Sequence, residues 1–151
     1  MAIIRAATEK DIPRVLDLYR ELVITTSEIE QKRNLSLKEY LQVYEQIKAM
    51  PDHELLVAED EGEVIGSVVL LIVPNLSHGA SPWAVVENII VTQKHRRRGV
   101  GRQLMEYAIT RAREAGCYEI QLSSNKRRRG AHRFYGGLGF QAEAHGFRRY
   151  F

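Results

Sequence analysis

The chain has 151 residues, 44% of them hydrophobic and 27% charged, which is the balance of one globular domain over residues 1–151. No apolar run approaches the ~18 to 20 residues that cross a bilayer, and Met1–Arg5 lacks the pattern of a cleavable signal peptide. We therefore expect a cytoplasmic protein without a membrane partner. The lone Cys117 excludes an internal disulfide and a cysteine metal cage, and chemistry without a metal is expected.

The formal net charge of +3 conceals three basic clusters, His95–Arg98, Lys126–Arg129 and Arg148–Arg149. Each could bind nucleic acid, a membrane surface or a phosphorylated small molecule, or simply face solvent. A nucleic-acid-binding module usually interleaves aromatic residues with basic ones or presents a recognition helix, and neither pattern surrounds His95–Arg98. A nucleic-acid partner is therefore not expected.

The N-terminal part predicts one strand and two helices. Ala2–Ala7 reads as a short strand, and Asp11 opens an amphipathic helix that is expected to fade near Thr25. Ser36 followed by Glu39 is a capping box, which predicts the start of a second helix.

The middle of the chain predicts three strands. Two β-rich runs, 54–59 and 64–73, are joined by Glu61–Glu63 and should form an antiparallel hairpin. The polar stretch Pro74–Pro82 is predicted to be a loop long enough to line a binding site. A third long strand is expected over Trp83–Thr92.

The C-terminal part alternates between helix and strand. Apolar residues recur at helical spacing from Gly99 to Ala115, and Gly116 is a natural helix end. Residues 118–123 predict a strand, residues 132–138 a helix, and residues 140–151 a closing hairpin. This element order indicates an α/β (α+β) fold with a mixed sheet and helices on its faces.

The segment Arg96–Gly101 lies between a predicted strand and a predicted helix. A glycine-rich turn at such a place presents unpaired backbone N–H groups at the positive end of the helix dipole, which suits a pyrophosphate. Glycine at 99 and 101 removes Cβ atoms where a ligand must approach the backbone, and the flanking arginines can reach phosphates. The spacing fits neither G-x-x-x-x-G-K-[ST] nor G-x-G-x-x-G, which disfavours a nucleotide-binding kinase or dehydrogenase.

These residues resemble the GNAT superfamily of acetyl-CoA-dependent N-acetyltransferases. The family signature Q/R-x-x-G-x-G/A corresponds to Arg96–Gly101, which reads R-R-R-G-V-G. A second block, residues 131–140, reads A-H-R-F-Y-G-G-L-G-F and is similar to the family's A-x-x-F-Y-x-x-x-G-F segment. The resemblance implies a mixed, mostly antiparallel central sheet of about seven strands flanked by about four helices. A homodimer is common among similar proteins.

The resemblance further implies that acetyl-CoA is the cosubstrate and that backbone groups hold most of it. A strand edge would pair with the pantetheine arm, and the arginine-rich turn would surround the pyrophosphate. Many family members carry an asparagine seven residues before the tyrosine of the second block, where this chain has Arg128, with Asn125 slightly earlier. Either could replace that contact. The residues expected to bind the cofactor are Ile89, Ile90, Val91, Arg96, Arg97, Arg98, Gly99, Val100, Gly101, Arg102 and Asn125.

Glu87 and Tyr135 are the candidate catalytic residues. The attacking amine must lose a proton before it reaches the thioester, and the family often places a carboxylate where Glu87 stands, so Glu87 is either the base or a residue that orients the substrate. Tyr135 would be the general acid for the leaving thiolate. Strand alternation predicts that Asn88 points to the face opposite Glu87.

The acceptor is expected to be a primary amine, with Trp83 and Asn88 as candidate substrate contacts. Tyr40 and Tyr44 could also line its pocket or belong to the core. A small molecule is favoured over a protein N-terminus because the sequence shows no long acidic track for a basic peptide. A domain that binds acyl-CoA without turnover remains an alternative.

Three further predictions concern residues near these blocks. His132 is a rival base, although its place on a predicted helix favours a capping or packing role. Cys117 is predicted to be a buried thiol and not a nucleophile. The basic run Lys126–Arg129 could bind the CoA phosphates or face water.

Overall fold

The computed structural model describes residues 1–22 and 27–151, so the predicted fading of the first helix near Thr25 lies outside the described residues. Its five strands form one sheet in the order β1-β2-β3-β4-β5. All neighbours pair antiparallel except β4 and β5, which are parallel. The strands are β1 Ile3–Ala6, β2 His53–Asp60, β3 Glu63–Val73, β4 Trp83–Val91 and β5 Ile120–Gln121.

The helices flank this sheet, and two of them are single turns. Ser36 caps α3 as predicted, because its Oγ accepts from the Glu39 N–H at 3.3 Å while Glu39 Oε2 accepts from the Ser36 N–H at 2.7 Å. None of the helices in the described part of the chain is long and apolar enough to span a membrane. The helices are α1 Ile12–Arg20, α2 Glu28–Gln31, α3 Leu37–Ala49, α4 Ser77–Ala80, α5 Val100–Glu114 and α6 Arg129–Gly136.

Each face of the sheet buries its own apolar cluster. Leu18 of α1 and Tyr44 of α3 pack with Val57 and Ile90 on one face. Leu104 of α5 belongs to the cluster on the other face. Burial of such side chains contributes about 1.5–3 kcal/mol each, so the two clusters fix the helices on opposite sides of β4.

The predicted β2–β3 hairpin is confirmed. Asp60 pairs with Glu63, which leaves a two-residue turn of Glu61 and Gly62. Both turn residues have positive φ, 49° and 82°, the backbone signature of the turn that matches the right-handed twist of a hairpin.

The C-terminal predictions were partly wrong. The strand expected over 118–123 contracts to β5, and residues 140–151 contain no helix or strand, which gives five strands in the described chain instead of about seven. Residues 141–151 of this segment are exposed, with Phe147 94% exposed, so the segment has no apolar face to bury in a sheet. Helix α6 spans Arg129–Gly136 instead of 132–138, because arginine is a good helix former and extends the helix toward the N-terminus. The loop 74–82 is confirmed apart from the single turn α4.

Candidate active site

Strands β4 and β5 separate soon after they meet. Their ladder consists of Ala84 paired with Ile120 and Val85 paired with Gln121. Beyond Val85, the β5-facing edge of β4 has no ladder partner within the described residues. The N–H and C=O groups along this edge are therefore open to a ligand, although the Val91 carbonyl already accepts from Arg96 Nε at 2.9 Å.

A β-bulge interrupts β4 beside this opening. Ser67 pairs with Ile90 and Val69 with Glu87, so that two residues of β4, Asn88 and Ile89, oppose one residue of β3. Asn88 accordingly has a φ of 53°, in the left-handed region.

The bulge corrects the prediction that Glu87 and Asn88 face opposite ways. Strand alternation applies only to a regular pleat, and the extra residue interrupts it here, so that both residues line the same cavity. The side chain of Asn88 also interacts with the Tyr19 hydroxyl on α1, which partly offsets the rise that burial causes in the pKa of Tyr19. Glu87 and Asn88 thus share one pocket wall.

The cavity at this opening has a volume of about 270 Å³ and is built from segments far apart in the chain. Strand β4 forms one wall, the segment after β5 and helix α6 form another, and the C-terminal segment crosses its side. Its lining residues are Leu22, Glu30, Val86, Glu87, Asn88, Ile89, Leu122, Ser123, Ser124, Asn125, Arg128, Tyr135, Arg148 and Tyr150.

Tyr135 is the buried polar group of this cavity. Burial raises the pKa of its phenol, the nearby Arg128 guanidinium lowers that pKa, and the Glu87 carboxylate raises it. Tyr135 is therefore a neutral phenol at neutral pH, as an ordinary tyrosine is. Neither Glu87 nor Arg128 has a side-chain hydrogen-bond or ion-pair partner among residues 1–22 and 27–151, so both charges remain available to a ligand.

The turn before α5 exposes a row of backbone N–H groups. Arg97 and Gly99 have positive φ values of 63° and 82°, and the first hydrogen bond of the helix runs from the Gln103 N–H to the Gly99 carbonyl at 3.0 Å. Within the described chain, the N–H groups of residues 97–102 meet no acceptor. This turn, hereafter the amide turn (residues 97–102), is a ready anion site at a helix N-terminus.

The two glycines of the amide turn have different roles. A Cβ on Gly99 would meet nothing within 4 Å, so Gly99 is required by its positive φ and leaves its surroundings open. A Cβ on Gly101 would lie 3.4 Å from Phe134 Cζ. The missing Cβ of Gly101 therefore faces the Phe134 ring of α6, and the role of Gly101 beside a ligand stays a prediction.

The arginine side chains around the turn also divide into two groups. Arg96 donates to the Val91 carbonyl and reaches Glu21 at 3.2 Å, and Arg102 contacts Glu106 at 3.3 Å and the Gly137 carbonyl at 3.4 Å. These contacts fix the turn against α1 and α6. The side chains of Arg97 and Arg98 are exposed and have no partner in the described part of the chain.

Asn125 and His132 lie together at the start of α6. Asn125 lines the cavity, but its Oδ1 accepts from the Arg127 N–H at 2.9 Å and its carbonyl from the Arg128 N–H at 3.0 Å. His132 Nε2 lies 2.9 Å from the same Asn125 carbonyl, and His132 does not line the cavity.

Three other candidates lie away from the cavity. Trp83 stands at the start of β4 opposite Val73 and does not line it. Tyr44 is buried and donates to the Ala7 carbonyl at 3.1 Å, which makes it a core residue. Cys117 is half-buried, and this burial raises its thiol pKa.

Arg148 and Tyr150 are cavity residues that the sequence did not assign to the site. Their segment was expected to form a hairpin, and no spacing rule connects it to Glu87. The exposed basic pair at Arg148–Arg149 was the one available signal.

Comparison with known proteins gives a consistent result. A model of the acetyltransferase (GNAT) family matches residues 15–140. An aminoalkylphosphonate N-acetyltransferase of Salmonella typhimurium is 30% identical over 132 residues, covering 87% of this chain and 80% of that protein.

Two solved structures share the fold throughout. A putative acetyltransferase from Agrobacterium tumefaciens has a TM-score of 0.87 and 33% identity, with 97% of this chain and 98% of that chain covered. A protein described as a transcriptional regulator from Bacillus halodurans has a TM-score of 0.87 and 32% identity, with both chains fully covered at 100%. The family match spans most of the chain and contains β4, the amide turn and α6. This chain therefore belongs to the GNAT family of acetyl-CoA-dependent acetyltransferases.

Proposed function

We propose that this chain, acting as a single domain, transfers the acetyl group of acetyl-CoA to the primary amine of a small molecule. The observation that carries the proposal is one continuous site, in which the open β4 edge connects the amide turn to the cavity containing Glu87 and Tyr135. The homodimer belongs to the same proposal through the resemblance to other family members, and the cytoplasmic location belongs to it as the expectation from the sequence.

The cofactor would lie along the opening between β4 and β5. The amide turn offers backbone donors to the diphosphate, and the free side chains of Arg97 and Arg98 can add charge-assisted bonds. The pantetheine arm would pair with the free edge at Ile89–Val91. This arrangement directs the thioester toward Tyr135.

The reaction follows from the groups around the thioester. Glu87 takes a proton from the ammonium, and the neutral amine attacks the acetyl carbonyl to form a tetrahedral intermediate, whose oxyanion a β4 N–H near Ile89 can stabilise. The C–N bond forms and the C–S bond breaks as the intermediate collapses. The thiolate leaves with a proton from Tyr135, which is a phenol at neutral pH. The Tyr135 phenolate then takes the remaining proton from the amide nitrogen, which restores the phenol.

The size of the cavity favours a small acceptor. A volume of about 270 Å³ accommodates a compact metabolite more readily than a folded protein surface. The Salmonella typhimurium relative is named for acetylation of aminoalkylphosphonates, which are small amines. A protein N-terminus is the alternative acceptor.

Steady-state thiol release from acetyl-CoA, measured over a panel of small amines, tests the proposed reaction. For an accepted amine, Glu87→Gln should lower kcat by about a hundredfold to ten-thousandfold with little change in the KM for acetyl-CoA, because general-base catalysis contributes that much. Glu30→Gln is the matched control, since Glu30 lines the same cavity but is engaged in the capping of α2. Its kcat should stay near that of the wild type.

Three results would count against this account. An unchanged rate in Glu87→Gln would remove Glu87 from the chemistry. Binding of acetyl-CoA with no thiol release on any amine would favour a non-catalytic sensor, and turnover only on peptides would replace the small acceptor with a protein.

A further inference from the structure

The C-terminal segment places the guanidinium of Arg148 at the cavity. Arg148 lines the cavity and donates from Nη2 to Ser123 Oγ at 2.5 Å. Farther along, the Phe151 carbonyl accepts from the Ile29 N–H of α2 at 3.4 Å. These two contacts hold the segment across the cavity between the end of β5 and α2.

Arg148 makes no ion pair in the part of the chain that the structure describes. A guanidinium has five N–H donors in a planar fork, and the single bond to Ser123 leaves the others for a ligand. The neighbouring Arg149 differs, because its guanidinium lies 5.8 Å from the Phe151 ring centre and Arg149 does not line the cavity.

The charged groups of the cavity are two carboxylates and two guanidiniums. Glu30 bonds to the Ser27 N–H, and Arg128 lies close enough to Tyr135 to lower its pKa, which places Arg128 beside the proposed thioester position. Glu87 and Arg148 remain for the acceptor. A cavity with one free carboxylate and one free guanidinium is complementary to a molecule that carries both an ammonium and an anion.

We infer that Arg148 binds an anionic group of the acceptor, a phosphate, phosphonate or carboxylate, while Glu87 receives its amine. This inference rests on the proposed function and names the substrate class of the same site. The planar fork of arginine binds such oxyanions with two parallel hydrogen bonds, and Ser123 holds the guanidinium in place. Arg148 is thus a specificity residue that acts on binding and not on the chemical step.

The test compares acceptors that differ only in the anion, namely glucosamine 6-phosphate with glucosamine and phosphoethanolamine with ethanolamine. The wild type should show a higher kcat/KM for the phosphorylated member of a pair. Arg148→Gln should raise the KM for that member by about tenfold to a hundredfold, the value of a charge-assisted hydrogen bond. The kcat, the KM for acetyl-CoA and the kinetics of the neutral member should change little.

Two further variants make the result specific. Arg148→Lys keeps the charge and should retain part of the preference, and Arg149→Gln should behave as the wild type. An Arg148→Gln variant whose KM rises for acetyl-CoA instead would assign the guanidinium to the cofactor phosphates. Equal losses on both members of a pair would also overturn the inference, whereas absence of thiol release with every amine would instead defeat the proposed function.

Discussion

Asp11 shows how one carboxylate can tie the edge strand to the first helix. Arg5 of β1 donates to it from Nη1 at 2.7 Å and from Nη2 at 3.0 Å, and the Thr8 N–H donates to the same carboxylate at 2.7 Å. The Arg5 guanidinium is the main reason why the pKa of Asp11 is lowered, and burial acts in the opposite direction. Because the folded pKa is below the unfolded value of about 3.9, this stabilisation is present above that pH and is lost as the pH falls through the folded pKa.

Asp11→Asn should lower the free energy of unfolding by about 1–3 kcal/mol at neutral pH, since it leaves the Arg5 charge partly unpaired. Urea unfolding measures the difference. As the pH falls below about 5, the free energy of unfolding should decrease less for the variant than for the wild type. Asp17→Asn is the control, because Asp17 makes only an exposed pair with Arg20 at 3.3 Å. Parallel stability curves for Asp11→Asn and the wild type would contradict this role.

At the scale of single residues, the sequence indicated Glu87 and Tyr135 through their places in two motif blocks, and both line the cavity. It misplaced Asn88, since a bulge depends on how the opposite strand pairs and leaves no mark in the local pattern. The contact of Gly101 was also hidden from the sequence. Its neighbour Phe134 is distant in sequence, so only the folded chain shows what the glycine accommodates.

Among the elements, the amide turn can be tested with a charged side chain at Gly99, where a Cβ would meet nothing within 4 Å. Asn and Asp both tolerate positive φ and have nearly the same shape, so Gly99→Asn and Gly99→Asp should fold alike. A negative charge beside the diphosphate should make acetyl-CoA bind at least about tenfold more weakly to Gly99→Asp than to Gly99→Asn. Isothermal titration calorimetry gives both affinities, and equal values would place the diphosphate elsewhere.

Helical and strand periodicity predicted α1, α5, the β2–β3 hairpin and β4 because each of these elements has an apolar face that repeats along the chain. The capping box at Ser36 and Glu39 predicted α3. The same reasoning failed for residues 140–151. That segment is held by a few long-range contacts, such as the bond from Arg148 to Ser123, and its own residues carry no periodic signal for them.

At the scale of the whole molecule, the site depends on two strands that part and on a C-terminal segment that crosses the gap. The cavity draws residues from α2, β4, α6 and the last residues of the chain, which lie far apart in sequence. The family motifs predicted the residues of the proposed cofactor side. The residues of the proposed acceptor side were not predictable, because the bulge and an irregular segment bring them together.

A crystal structure of the chain with bound CoA would show whether the coenzyme lies between β4 and β5. We expect the diphosphate within hydrogen-bonding distance of the N–H groups of residues 97–102, the pantetheine arm along Ile89–Val91, and the sulfur near the Tyr135 hydroxyl. A complex in which the amide turn contacts no phosphate, or in which the coenzyme occupies another surface, would contradict the account.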